Sequence, residues 1–202
     1  MTPSPNEPVL PWPVRRVSDP KELRALAHPV RFALIDLLME GPMTATQCGA
    51  RLGESPANCS YHLRQLAKFG HVRPIEGGRG RERYWAAREE GIRIADDGPG
   101  GAAAARAVGE AVDEYRMAAW HSYVARRPAE PEEWRTAALS TDVVSWLTSD
   151  ELRAITQGIY DLVAPYTGRD RDDGSRPRGS RAVRLFAYAF PGAPDAAEGE
   201  GS

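Results

Sequence analysis

The chain has 202 residues, room for one or two domains. Its 28 acidic and 26 basic residues leave a formal net charge of −2, which excludes a uniformly basic nucleic-acid binder and makes any such surface local. At 42% apolar and 27% charged, with no apolar run near the roughly 18–20 residues of a membrane span, the composition is that of a globular chain in water. Two cysteines, Cys48 and Cys59, are too few for a disulfide scaffold, and Met1 to Val14 lacks the basic start and apolar stretch of a secretory signal. The expectation is a cytoplasmic protein. Arginine outnumbers lysine 24 to 2, which supplies the side chain best suited to phosphate and guanine.

Residues 1–18 carry five prolines and are expected to form an extended, mostly disordered arm. Order is expected from Asp19, an N-cap followed by Pro20 at the first helical position. A short helix carries Leu23, Leu26 and Ala27. His28-Pro29 interrupts it and opens a second helix with Val30, Leu34, Leu37 and Leu38 on one face and Phe32, Ile35 and Met39 on another. Thr44 and Gln47 form a capping-box pattern for a short helix that Gly53 closes. Ser55-Pro56 opens a helix running to Phe69. His71 to Ile75 and Arg81 to Ala86 are expected strands around the glycine-rich turn Glu76-Gly77-Gly78-Arg79-Gly80. That turn lacks the pattern of a nucleotide-binding phosphate loop.

Residues 91–101 are expected to be a linker. Ala102 to Arg127 is expected as one long helix with two apolar stripes. Val108, Val112, Tyr115, Ala119 and Tyr123 form one; Met117, Trp120 and Val124 form the other, offset one. The first packs on its own domain, and the second is the candidate interface with a second copy. Glu132 to Ala138 is a helical turn and Asp142 to Leu147 an expected strand. Thr148 and Glu151 cap a helix from Ser149 to about Tyr166. Arg181 to Phe190 alternates as a strand does. Residues 191–202 are expected to be a disordered tail.

In the helix from Pro56, Cys59, Leu63 and Leu66 share one face and hold it to a core. Ala57, Asn58, Tyr61, Arg64 and Gln65 face away. Asn58 and Gln65 suit adenine, and Arg64 suits guanine or phosphate. Ser55 and Ser60 are short donors for backbone phosphates. From Ser60 to Arg88 seven basic residues (Arg64, Lys68, Arg73, Arg79, Arg81, Arg83 and Arg88) face two acidic ones, a local charge of +5. Arg79, at the hairpin tip, is the candidate minor-groove or phosphate contact.

The run Ser55-Pro56-x-x-x-Ser60-x-His62-Leu63-x-x-Leu66 resembles the helix–turn–helix of ArsR-type winged-helix repressors. Leu26-x-His28-Pro29-x-Arg31 resembles that family's entry motif. The resemblance covers about Lys21 to Ala86. It implies a winged helix–turn–helix over 19–90, a mainly α fold with small β (α+β), and contact between His62 and the DNA backbone. For 102–190 the expectation is a dimerisation helix followed by a small α/β extension that serves as an effector or interaction domain. The family's arsenic-type Cys-x-Cys is absent, and its zinc-type sites are matched only by Glu110, Asp113, Glu114 and His121, too few for a metal site.

Two readings of Cys48 and Cys59 stay open: small buried hydrophobes, or a redox pair. Two also stay open for the aromatics after Gly101: core and dimer interface, or the lining of a pocket for an unidentified small-molecule effector. No catalytic signature is present. The expected function is a sequence-specific DNA-binding regulator, a repressor. It would bind an inverted repeat as a homodimer, with helix 56–69 in the major groove and wing 76–81 on flanking DNA. No cofactor, metal or membrane is expected. The alternative is a redox- or ligand-gated protein-interaction module.

Overall fold

The structure is a computed structural model and describes residues 8–75, 83–95, 100–169 and 173–193. Order begins earlier than Asp19. Strand β1 (Val14–Val17) pairs in parallel with β5 (Gly91–Ile94), in the register Val14 with Gly91 through Val17 with Ile94. Residues 14–17 therefore do not belong to a disordered arm, nor 91–94 to a linker. Val17, fully buried, joins the core. The expectations of disorder for 1–7 and 194–202 fall outside the described residues.

Asp19 caps helix α1 (Pro20–Leu26) by accepting the Lys21 N–H at 2.9 Å. His28 caps α2 (Pro29–Glu40) through Nδ1. A two-residue strand, β2 (Met43–Thr44), leads into α3 (Ala45–Leu52). There the capping box closes as expected: Thr44 Oγ1 accepts the Gln47 N–H at 3.2 Å, and Gln47 Oε1 accepts the Thr44 N–H at 2.8 Å. Gly53 ends α3 at φ 71°, a left-handed conformation that favours glycine. Helix α4 (Pro56–Lys68) follows. Strands β3 (Val72–Ile75) and β4 (Tyr84–Ala87) form an antiparallel hairpin, and β2 adds to it in the order β2-β4-β3.

Helix α5 (Gly101–Arg126) is one helix with two environments. Ala104 and Val108 join the core formed by Leu23 and Leu26 of α1, Leu34, Leu37 and Leu38 of α2, and Leu63 and Leu66 of α4. No residue beyond Ala111 on α5 is buried. Helices α6 (Glu132–Ala137) and α7 (Ser149–Val163) have no buried residue, although the Thr148–Glu151 capping box forms as expected. Among the described residues, no helix is long and apolar enough to cross a membrane.

The expected strands 142–147 and 181–190 are irregular, and among its described residues the extension holds helices but no strand, where an α/β extension was expected. Trp146 is 95% exposed and Val144 nearly as much. An alternating pattern supplies a side-chain face, but a strand also needs a backbone partner. Side chains fasten the second segment instead. Arg184 Nε donates to Asp36 Oδ2 at 3.2 Å, and Tyr115 Oη donates to the same carboxylate oxygen. Arg181 pairs with Glu130 at 2.7 Å, and Tyr188 Oη donates to Asp113 Oδ1 at 2.9 Å. Arg116 lies 5.6 Å from the ring centre of Phe186. Burial and the Asp36 hydrogen bond raise the Tyr115 pKa well above the ordinary phenol range.

Two features yield stability predictions. A Cβ on Gly49 would lie 2.6 Å from the Glu54 carbonyl oxygen, because the α3–α4 turn presses on that glycine. Gly49→Ala is expected to cost about 1–3 kcal/mol, the usual price of overpacking, in a denaturant titration. Gly109→Ala, mid-helix in α5 with nothing within 4 Å, is expected to gain about 0.5–1 kcal/mol in the same assay.

His71 is buried between the arm and α1. Its Nδ1 accepts from Arg15 Nη2 at 3.2 Å, and its Nε2 lies 3.0 Å from Glu22 Oε1 without hydrogen-bond alignment. Burial pushes the imidazole down to about 4; the Glu22 carboxylate opposes this, while Arg15 and Arg88 add to it. The unfolded chain takes up this proton from about pH 6.5 downward, whereas the folded chain does so only near 4. The contribution of neutral His71 is therefore complete above 6.5 and is lost as pH falls across that window. Between pH 7 and 4.5 the protein should lose about 2–3 kcal/mol more than His71→Gln does, measured by denaturant unfolding at both pH values.

Candidate nucleic-acid interface

Helix α4 is fixed at its start and along one side. Ser55 Oγ accepts the Asn58 N–H at 3.1 Å, and Pro56 occupies the first turn. Cys59, Leu63 and Leu66 are fully buried, which turns the opposite face outward. Ala57, Arg64 and Lys68 are exposed there, and Tyr61 is 49% exposed. Asn58, Ser60 and Gln65 are half-buried at its edges. Asn58 is not free as it stands: its Nδ2 donates to Glu54 Oε2 at 2.7 Å, so reading a base would require releasing that carboxylate. Ser55 is exposed at the cap.

His62 lies inside rather than on the face. It is 4% exposed, its Nδ1 accepts from Arg31 Nε at 3.2 Å, and its ring lies 4.5 Å from that of His28. Arg31 also donates to the Ala25 carbonyl. The backbone contact implied for His62 is thus replaced by a link between α4 and α2. The amphipathic pattern hid this, because position 62 borders the apolar stripe. Burial, with His28 and Arg31 nearby, lowers the His62 pKa against the pull of Glu54. Burial also lowers the Arg31 pKa.

A shallow polar groove runs between the start of α3, the outward face of α4 and the wing. Thr44 at the end of β2 and Ala45 and Thr46 at the start of α3 line it, with Ser60 and Arg64 from α4, Arg83 just before β4 and Trp85 within it. The Arg83 guanidinium lies 5.8 Å from the Trp85 ring centre, which holds the charge at the groove. The α3 residues were absent from the sequence-based site. The sequence gives Thr44 a capping role, and the signal for more is that the same cap opens the first helix of the motif. Arg64, Lys68, Arg73 and Arg83 are exposed, so the basic run is solvent-facing where it is described. Arg79 and Arg81 lie outside the described residues.

Cys48 and Cys59 are free thiols, both fully buried, on two helices that pack together. Burial pushes Cys48 up to about 11, with Cys59 adding and Arg51 opposing. Burial and then Glu54 raise the Cys59 pKa. Both thiols are held protonated, the unreactive form. On α5, Met117 and Val124 are nearly half-exposed, and half-buried Trp120 lies 5.6 Å from the Tyr123 ring. Among the described residues, no three His, Cys, Asp or Glu side chains gather as a metal site.

Residues 26–70 match the family described as helix-turn-helix domain. No curated protein matches the chain. One similar solved structure is described as a possible transcriptional regulator for arsenical resistance. It is 32% identical over 51% of this chain and 96% of its own, with a TM-score of 0.31. A double mutant of Lactococcus lactis ZitR is 15% identical over 69% of this chain and 74% of its own, with a TM-score of 0.29. The same mutant in its apo form is 16% identical over 69% and 82%, with a TM-score of 0.28. Residues 26–70 thus carry a helix-turn-helix domain, and the order of entry helices, capped α4 and antiparallel strands around it is that of a winged helix–turn–helix, a DNA-binding fold.

Proposed function

We propose that the chain is a sequence-specific transcriptional repressor that binds an inverted-repeat operator as a homodimer. The observation that carries this reading is the geometry of α4. Its apolar side is buried, its N-terminus is capped by Ser55, and its outward face presents Ala57, Tyr61 and Arg64 beside the basic groove. A helix so held enters a major groove with its N-terminal half near base edges. The exposed arginines of α4 and the wing supply phosphate contacts that set orientation. The apolar residues Met117, Trp120 and Val124 on the distal half of α5 form the interface with the second copy. Two recognition helices then meet successive major grooves about one helical turn apart. A small-molecule effector would act by favouring one spacing of the two helices.

Recovery and sequencing of genomic fragments bound by the purified protein in roughly physiological salt tests the reading. A palindromic motif is the expected result; absence of any enriched motif overturns sequence specificity. On the recovered operator, Arg64→Ala is expected to weaken binding by about 1–3 kcal/mol and relax the preference at one base pair. Uniform weakening on all DNA would instead assign Arg64 to phosphate. Sedimentation velocity at micromolar concentration is expected to show a dimer, and Trp120→Asp is expected to shift it towards monomer. A wild-type protein that sediments only as monomer removes the dimer from the proposal.

A further inference from the structure

We propose that the N-terminal arm is a latch, in which residues 9–13 occupy a peptide-docking surface on α7 and β1 carries that contact to the end of the recognition helix. This goes beyond the proposed regulator function, and its test needs no DNA.

The docking surface reads backbone. A glutamine carboxamide offers one acceptor and one donor side by side, as a peptide unit does. Gln157 Oε1 accepts the Val9 N–H at 2.8 Å, and Gln157 Nε2 donates to the Val9 carbonyl at 3.2 Å. The same Nε2 donates to Asp161 Oδ1, one turn along α7, at 2.9 Å, which sets the amide's orientation. One helix side chain thus pairs with both backbone polar groups of one residue, as a neighbouring strand would. One turn from it, Tyr160 meets Trp12 edge-to-face, with ring centres 5.9 Å apart and planes at 82°. Pro11 and Pro13 flank Trp12 and fix two backbone φ angles of a segment that bends at Pro11 and Trp12, which limits the conformational entropy lost on docking. The partner this surface fits is a proline-flanked peptide with an aromatic residue, and its occupant is the chain's own arm.

The same tryptophan is seated on the winged domain. A Cβ at Gly91 would lie 2.9 Å from Trp12 Nε1 and 3.1 Å from its Cδ1, so the indole packs on a site that only glycine leaves open. The Gly91 N–H donates to the Pro13 carbonyl at 2.8 Å, and the β1–β5 ladder follows at once. Within β1, Arg15 donates to Glu22 Oε1 at 2.6 Å and reaches His71. The His71 N–H donates to the Leu66 carbonyl in the last turns of α4, and the His71 carbonyl accepts the Arg88 N–H beyond β4. The arm therefore joins α7, which has no buried residue, to the point where recognition helix and wing meet.

Hydrogen exchange read by mass spectrometry on the full-length chain tests the latch. The variants are Trp12→Ala, Gln157→Ala, their double, Gln157→Glu and Gly91→Ala. Trp12→Ala and Gln157→Ala are each expected to speed exchange roughly tenfold in 149–163 and also in 14–17 and 91–94, the scale of one or two lost hydrogen bonds. The double should exchange faster than either single, by up to the product of the two effects, because both contacts hold one latch closed. Gln157→Glu keeps the acceptor for Val9 and loses the donor, so its rate should fall between wild type and Gln157→Ala. Gly91→Ala displaces the indole from the winged side and should loosen α7 as well. Exchange within 34–38 and 63–66 should stay at the wild-type rate. The latch is overturned if Gln157→Ala loosens α7 while β1 and β5 keep their protection. It is equally overturned if Gly91→Ala leaves α7 at the wild-type rate.

Discussion

The structure depends on the burial of one side of α4. Cys59, Leu63 and Leu66 are removed from water against α2, α3 and the hairpin, each large side chain contributing about 1.5–3 kcal/mol. Because a helix is rigid in rotation, fixing that side fixes the azimuth of every residue opposite. The direction in which Arg64 and Tyr61 point is thus a consequence of apolar packing. Arg31, reaching from α2 to His62, adds a polar constraint on the same rotation. The chemistry of the outward face and the stability of the domain are separable, since few residues serve both.

The two halves of the chain are held by different forces. Residues 14–111 share an apolar core that includes both sheets and the first half of α5. Beyond Val112 ion pairs, hydrogen bonds and arginine–aromatic packing predominate: Arg181 with Glu130 and Trp134, Arg184 with Asp36, Arg116 with Phe186 and Tyr188. Exposed contacts of this kind contribute about 1 kcal/mol or less each and weaken with salt. The distal half is accordingly the part whose arrangement is expected to respond most to salt.

What was legible in the sequence was local. Ser55 to Leu66, the two capping boxes at Thr44 and Thr148, and the glycine stops declare themselves within a turn or two of helix, and all are found. What was missed was non-local. β1 and β5 are four-residue strands far apart in the chain, and neither has enough length for period-two alternation to stand out. The opposite error came from the same source: 142–147 and 181–190 have a strand's side-chain pattern but no backbone partner. His62 shows a finer limit. A polar residue on the border of an apolar stripe can turn either way, and only the presence of Arg31 on another helix decides which. The docking of Val9 and Trp12 on α7 had no signal in the arm's proline-rich composition, which describes an extended chain without saying what it touches.

Helix α5 belongs to the winged core at one end and leaves it at the other, without a break over 26 residues. It is therefore a rod about 39 Å long whose roll is set by Ala104 and Val108. Whatever grips its far end is placed at a fixed distance and a fixed angle from the recognition helix. Inserting one residue near its middle would swing that far surface by about 100° and advance it by about 1.5 Å. The phase between the two ends is thus encoded in a count of residues, which makes length in this segment less tolerant of change than composition.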